Sequence, residues 1–363
     1  MCAGAQAAGH LGAAAGGAAG RGAAPRGPAW RRWDTPAPMQ AILAVTIPFF
    51  ALVLCGYVAA HRHVLPESAI PGLNAFVLYF ALPCMLFRFG ASTPIVELLN
   101  PVLMAVYLAA ALLLVAVVVT WSLNERVGLK DAAFGALVAV FPNTGFMGVP
   151  MLVALLGPGA VGPLVVTLLV DLFVVSSLCI ALAQASQAGA AGAGGARAAA
   201  VRALRGALSN PLPWSIALGA VFGTFGLALP APAQAVVDLL AGAATPVALF
   251  TIGAVLHRAG QHVSRRTPAV DFVPVALVKL FVHPLLVALL ALGARQLGAP
   301  VTGFQILVLT LAAALPSASN VSLLAERFGA DNGRIARIIM TSTVLAFGSF
   351  TLVAWTLGVN PVR

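Results

Sequence analysis

The sequence predicts an all-α membrane protein. Its expected architecture is ten transmembrane helices in two inverted five-helix repeats, with broken fourth and ninth helices that cross. Three observations predict it. The 363 residues are 61% hydrophobic and 8% charged, with a mean hydropathy of +1.00, the composition of a polytopic membrane chain. The apolar residues gather into runs of about twenty, the length that crosses a hydrocarbon core. Two of these runs, at matching places in each half, carry prolines and small polar residues that a regular helix does not accommodate.

Residues 1–38 stand apart. They are Ala/Gly-rich and without periodicity, so they cannot build a core. No compact apolar segment precedes a cleavage site, as a signal peptide would require. The expectation is a disordered low-complexity leader, with Met39 the true start and 1–38 an upstream mistranslation. Mass spectrometry of the mature N-terminus tests this; a peptide covering Arg21–Arg31 in native protein contradicts it.

The first repeat, 39–183, holds the runs Ile42–Ala60, Ala69–Phe87, Val102–Trp121, Ala133–Leu156 and Val161–Ala183. A linker, 184–210, follows, Ala/Gly-rich with Arg197, Arg202 and Arg205. The second repeat, 211–363, holds Leu212–Leu229, Ala235–Leu256, Val270–Leu292, Gly303–Leu324 and Ile335–Leu357. FALPCMLFRFG (80–90) aligns with AATPVALFTIG (243–253), each in the second run of its half, matching at Pro83/Pro246, Phe87/Phe250 and Gly90/Gly253. An odd number of spans per repeat makes the second copy enter from the opposite side, the inverted-repeat plan of many secondary transporters.

Basic residues orient the chain. Arg126, Lys130, Arg258, Arg265, Arg266, Arg327, Arg334 and Arg337 follow odd-numbered runs, whereas Arg88, Arg295 and Arg363 lie on the other side. Both termini are therefore expected outside and the linker in the cytoplasm. The net charge of +10 does not indicate nucleic acid, because the arginines sit in short loops between apolar runs. The four cysteines lack metal-ligand spacing and read as free packed thiols.

The fourth run contains FPNTGFMGVP (141–150) and the ninth LPSASNVSLLAERFG (315–329). Pro142, Pro150 and Pro316 lack amide hydrogens. Freed backbone groups at bilayer depth cost several kcal/mol each unless protein or water satisfies them. A broken helix also leaves the N-terminus of its second half within the membrane, where free N–H groups and the positive dipole end attract an anion. Paired interruptions of this kind point to a transporter's central site. The candidate substrate-binding residues are Pro142, Asn143, Thr144 and Gly145 in one break, and Pro316, Ser317, Ser319 and Asn320 in the other. Thr341, Ser342 and Thr343 are further candidates for lining it.

The P-N-T-G-x-x-G-x-P of the fourth run, the P-x-A-x-N-x-x-x-L-A followed by F-G of the ninth, and KLFVHP (279–284) resemble the auxin efflux carrier family in its bacterial branch. The resemblance runs from Met39 to the C-terminus. It implies a fold similar to sodium–proton antiporters and bile-acid symporters, with substrate held where the fourth and ninth spans cross. It also implies that Asn143, after the crossover proline, contacts a substrate carboxylate. Bacterial relatives are described as malonate- or malate-type carriers, and plant relatives export auxin. The linker here lacks the long hydrophilic insert of many plant members.

Charges within the runs are few, and each needs a reason, since one at mid-helix costs about 2.5–3.5 kcal/mol on insertion scales. Asp171 and Lys279 are the candidates for coupling or charge balance. Lys279 could pair with Asp171, balance the anion or carry a proton; His283 reads as a packed histidine. Asp238 and Arg88 are expected at the interface, and Glu326, Arg327, Arg334 and Arg337 form a cytoplasmic cap. No phosphate-cradling loop or catalytic constellation occurs, so no enzyme, no cofactor and no metal centre are expected.

The resulting expectation is a secondary active transporter for a small organic anion, working by alternating access with H⁺ or Na⁺ as coupling ion. Its partners would be the anion and the lipid bilayer, with a homodimer admitted. The alternatives are an uncoupled facilitative carrier or channel of the same fold, and a membrane scaffold or receptor whose breaks are purely structural.

Overall fold

The computed structural model describes residues 39–185, 201, 205, 208–261 and 267–361. The 1–38 leader and most of the 184–210 linker lie outside the described residues. The helices are α1 (Met39–His61), α2 (Ala69–Ser92), α3 (Pro101–Ser122), α4 (Leu129–Val140), α5 (Thr144–Leu156), α6 (Pro158–Ala185), α7 (Pro211–Thr224), α8 (Ala231–Gln261), α9 (Ala269–Gln296), α10 (Gly303–Ala313), α11 (Asn320–Arg327) and α12 (Asn332–Thr356). Seven are long and apolar enough to cross a membrane: α1, α2, α3 with the turn before it, α6, α8, α9 and α12.

The other three runs of the sequence are not continuous membrane-length helices. The fourth divides into α4 and α5, and the ninth into α10 and α11. The sixth, expected over Leu212–Leu229, yields only the 14 residues of α7. Gly226 stops it, turning left-handed at φ +62°. The Leu227 amide then reaches back to the Phe222 carbonyl at 2.9 Å, closing the helix end in the manner that favours glycine.

Two groups of helices form the body. In one, α1 packs along α8 and α2 along α7. The approach is backbone to backbone: a methyl group added at Gly56 or Gly253 would overlap the carbonyl of Phe250 or Val53, and one at Gly90 or Gly219 that of Ile216 or Phe87. Small residues at these positions allow the close packing that apolar helices use within lipid. The other group gathers α3, α4, α6, α9, α10 and α12 around the two breaks. Within it α6 is central, with 67% of its most apolar stretch buried, against 22% for α1 at the periphery.

Several helices widen into π turns, in which an amide bonds five residues back. Three of these, Val77–Ala81, Thr144–Gly148 and Val278–Val282, each end two residues before a proline: Pro83, Pro150 and Pro284. A proline within a helix has no amide hydrogen, and its ring collides with the carbonyl four residues earlier. Widening the preceding turn moves that carbonyl aside. The fourth, Val170–Val175, contains no proline; it carries Asp171, whose carbonyl accepts the Ser176 hydroxyl at 2.8 Å.

Arg334, expected in the cytoplasmic cap, is buried. It is only 3% exposed. Its Nε donates to the Asp271 carbonyl at 2.8 Å and its Nη1 to the Asp131 carbonyl at 2.9 Å, while its plane lies against Gly135. It thereby joins the starts of α4, α9 and α12, and side-chain-free Gly135 gives it room. Arg337 donates to the Thr267 carbonyl at 2.9 Å and stacks over Phe272. Arg88 and Asp238 form a half-exposed ion pair at 3.1 Å between α2 and α8.

Candidate functional site

The two breaks meet. Pro142 and Ser317 pair as in an antiparallel ladder. The Asn143 amide donates to the Pro316 carbonyl at 2.9 Å, and the Ala318 amide to the Phe141 carbonyl at 3.0 Å. Each interrupted segment thus supplies a hydrogen-bond partner that the other lost, which is how irregular backbone survives away from water. Side chains complete the junction. The Ser317 hydroxyl donates to the Val138 carbonyl at 2.8 Å, and the Ser317 amide donates to the Ser342 hydroxyl at 3.2 Å. Ser317 and Ser342 therefore hold the junction together.

The remaining candidates lie around it. Asn143, Thr144, Ser317 and Ser319 are buried, and Gly145 lies in contact distance of Leu168 and Leu212 for any added methyl. The Asn143 carbonyl accepts the amides of Met147 and Gly148. Among the described residues, the amides of Gly145, Phe146, Ser319 and Asn320 have no acceptor. All four lie at the starts of α5 and α11, where helix amides are unpaired. Asn320 Oδ1 and Thr144 Oγ1 are buried without a partner, although buried polar atoms are nearly always bonded. The junction thus carries a surplus of hydrogen-bonding capacity from both breaks.

A cavity of about 780 Å³ leads to one side of it. Its walls are the first half of α2, the end of α8, α11 and the start of α12, with Glu67, Tyr79, Arg258, Ser319, Asn320 and Asn332 among the lining residues. The cavity reaches Ser319 and Asn320. Asn143 and Thr144 do not line it.

Asp171 and Lys279 are each wholly buried in a π turn. Among the described residues no direct ion pair joins them. Asp171 Oδ2 instead accepts the Tyr107 hydroxyl at 3.1 Å, while Oδ1 has no partner. The Tyr107 ring lies 5.9 Å from the His283 ring. Lys279 Nζ stands 3.0 Å from His283 Nδ1 and donates to the Ala313 carbonyl at 2.8 Å. Ala313 is the last residue of α10, directly before the second break, so Lys279 is attached to the junction rather than to Asp171. Tyr107 escapes sequence reading, although it is one of only three tyrosines in the chain and lies within an apolar run.

A chain of apolar membrane-length helices, with two interrupted helices bonded to each other and polar groups held in the interior, belongs to the class of multi-pass membrane transport proteins. The sequence model of the family described as membrane transport protein matches residues 41–355, and the chain belongs to this family, that of the auxin efflux carriers. It is 27% identical over 314 residues to the "Putative malonate transporter" of Rhizobium meliloti (strain 1021), covering 86% of this chain and 95% of that one. It is 26% identical over 292 residues to the "Uncharacterized transporter YfdV" of Escherichia coli (strain K12), covering 78% and 87%. An "Uncharacterized transporter" of Methanothermobacter thermautotrophicus is 26% identical over 319 residues, covering 86% and 96%.

Proposed function

We propose that this protein is a secondary carrier that moves a small carboxylate anion of the malonate type across the bacterial inner membrane by alternating access. The observation that carries the reading is the junction of the two breaks. Four unpaired amides at the starts of α5 and α11, with Asn320 and Thr144 beside them, present donors and positive dipole ends to one small volume. A carboxylate satisfies several such donors at once, and its charge is favoured at a helix start. The relative named for malonate supports the substrate class.

The ten-helix inverted repeat belongs to this proposal. Its support lies in the matched segments of α2 and α8. Gly90 packs against α7 and Gly253 against α1, so residues at equivalent repeat positions make equivalent helix contacts. On this plan α1, α2, α7 and α8 move against the helices around the junction. The cavity then represents the face open to the cytoplasm, with Asn143 and Thr144 still covered. Asp171 and Lys279 supply the coupling charges.

Counterflow in proteoliposomes tests the carrier reading. Vesicles loaded with unlabelled malonate should take up labelled malonate, and Asn143→Ala with Asn320→Ala should reduce the rate at least tenfold. Transport without trans-acceleration would instead mark a channel of the same fold. Full transport in the double variant would make the breaks structural.

A further inference from the structure

We propose that Lys279 and His283 form a proton site, that the coupling ion is H⁺ rather than Na⁺, and that the Ala313 carbonyl links this site mechanically to the junction. The inference rests on the carrier reading and names the ion that drives it. Its basis is the geometry of a buried cluster drawn from four helices, α3, α6, α9 and α10. An ammonium has three N–H donors and no acceptor. Lys279 gives one to His283 Nδ1 and one to the Ala313 carbonyl. The imidazole nitrogen facing it must then accept, so the ring proton resides on Nε2, which has no partner.

The alternative ion is disfavoured by the same atoms. In broken-helix carriers a sodium ion is held by unwound carbonyls and by the carbonyl end of a half-helix. Here that end is the Ala313 carbonyl, and Lys279 Nζ already occupies it as a hydrogen-bond donor. A hard cation needs several converging oxygens. Of the other oxygens of the cluster, Asp171 Oδ2 and the Tyr107 hydroxyl are engaged with each other, which leaves Asp171 Oδ1 as a single unpartnered oxygen where several would have to converge.

The ionisable groups facing the pair come from three helices. They are Asp171 and Cys179 on α6, Tyr107 on α3, and His283 on α9 with Lys279 itself. α10 contains no ionisable residue, and those of α4 and α12 (Lys130, Asp131, Arg334 and Arg337) lie in the opening turns of their helices. With the pair protonated, its positive charge balances the Asp171 carboxylate. When one proton leaves Lys279 for water, the N–H⁺ bond breaks, the amine becomes neutral, and the cluster is left with one net negative charge. An anion at the adjacent junction is then repelled. Loss of the ammonium also weakens the grip on the Ala313 carbonyl, freeing the end of α10. Anion and proton therefore favour each other's binding, a reciprocity required by linkage, and the two cross together as a symport of one proton per cycle.

Proteoliposomes carrying the full protein separate the two claims. Counterflow, which needs no ion gradient, reports on the carrier; uptake driven by an imposed pH or Na⁺ gradient reports on the ion. The expected result is that an acidic exterior accelerates labelled malonate uptake at least tenfold in sodium-free buffer, with an internal pH dye recording proton entry. Lys279→Gln, neutral like the deprotonated site, should lose the acceleration and the dye signal and should raise the malonate concentration needed for half-maximal counterflow. His283→Gln, which keeps a nitrogen for hydrogen bonding, should shift the pH at which acceleration is half-maximal. Asp171→Asn, close in shape, guards against misfolding of the lysine variant and should also lose acceleration. Counterflow in the wild type with drive by Na⁺ alone, or with pH drive intact in Lys279→Gln, would overturn the proton site and leave the carrier standing. Absence of counterflow under every condition would overturn the carrier reading.

Discussion

Asn143 has two separable roles. Its backbone amide closes the junction by donating to Pro316, whereas the side chain is free for a ligand in the proposed function. Asn143→Ala should therefore leave the thermal stability of the ligand-free protein within about a degree while abolishing stabilisation by malonate. Ser342→Ala should do the reverse, removing the acceptor for the buried Ser317 amide and lowering stability by about 1–2 kcal/mol, measurable as a reduced unfolding temperature. Asn143 and Asn320 stand out in the sequence because each is a polar amide within four residues of a helix-breaking proline in an apolar run. Ser342 stood out only as a candidate for lining the site, and Tyr107 not at all, because serine and tyrosine are ordinary in membrane helices and the partners that give them meaning lie 25 and 64 residues away. Arg334 read only as part of a cytoplasmic cap for the same reason: nothing local discloses the Asp131 and Asp271 carbonyls it bonds.

At the scale of the element, proline predicts an interruption but not its form. Pro142 and Pro316 break their helices, Pro83, Pro150 and Pro284 widen the preceding turn, and Pro48 and Pro246 lie inside continuous helices. Which outcome follows depends on what receives the orphaned carbonyl, a tertiary matter. The π turn at Asp171 has no proline and left no mark in the sequence. Pro284→Ala should let α9 return to a regular helix, turning Lys279 away from Ala313, and thereby reduce malonate transport at least tenfold without loss of folded protein in detergent chromatography. Helix contacts make a second contrast. Gly293 has open space around the position of a methyl group, whereas Gly253 faces the Val53 carbonyl. Gly293→Ala should stabilise by about 0.5–1 kcal/mol through reduced chain entropy, and Gly253→Ala should destabilise by about 1–3 kcal/mol through overpacking. Unfolding midpoints of the two variants decide it. The match of Gly90 with Gly253 was visible in sequence; the carbonyls they approach were not.

For the whole molecule, the apolar runs gave the helical membrane class directly, and the proline-bearing pairs located the junction. What the runs could not give was continuity, since hydropathy does not distinguish a spanning helix from two half-helices or from α7, ended early by Gly226. The basic loops predict that the cavity mouth, where Glu67 and Glu326 lie, faces the cytoplasm. In a variant without native cysteines, Glu326→Cys should react with a membrane-impermeant maleimide only after cells are opened; labelling in intact cells would reverse the orientation. The central claim is that a small carboxylate binds where the two breaks meet. Thermal unfolding of the purified protein in the presence of C3–C5 mono- and dicarboxylates tests it most directly, because a ligand at a hundred times its dissociation constant stabilises by about 2.7 kcal/mol. The account predicts that malonate or a close analogue raises the unfolding temperature by several degrees, and that Asn143→Ala with Asn320→Ala removes the shift. No stabilisation by any of these anions across pH and Na⁺ conditions, or an undiminished shift in the double variant, would contradict it.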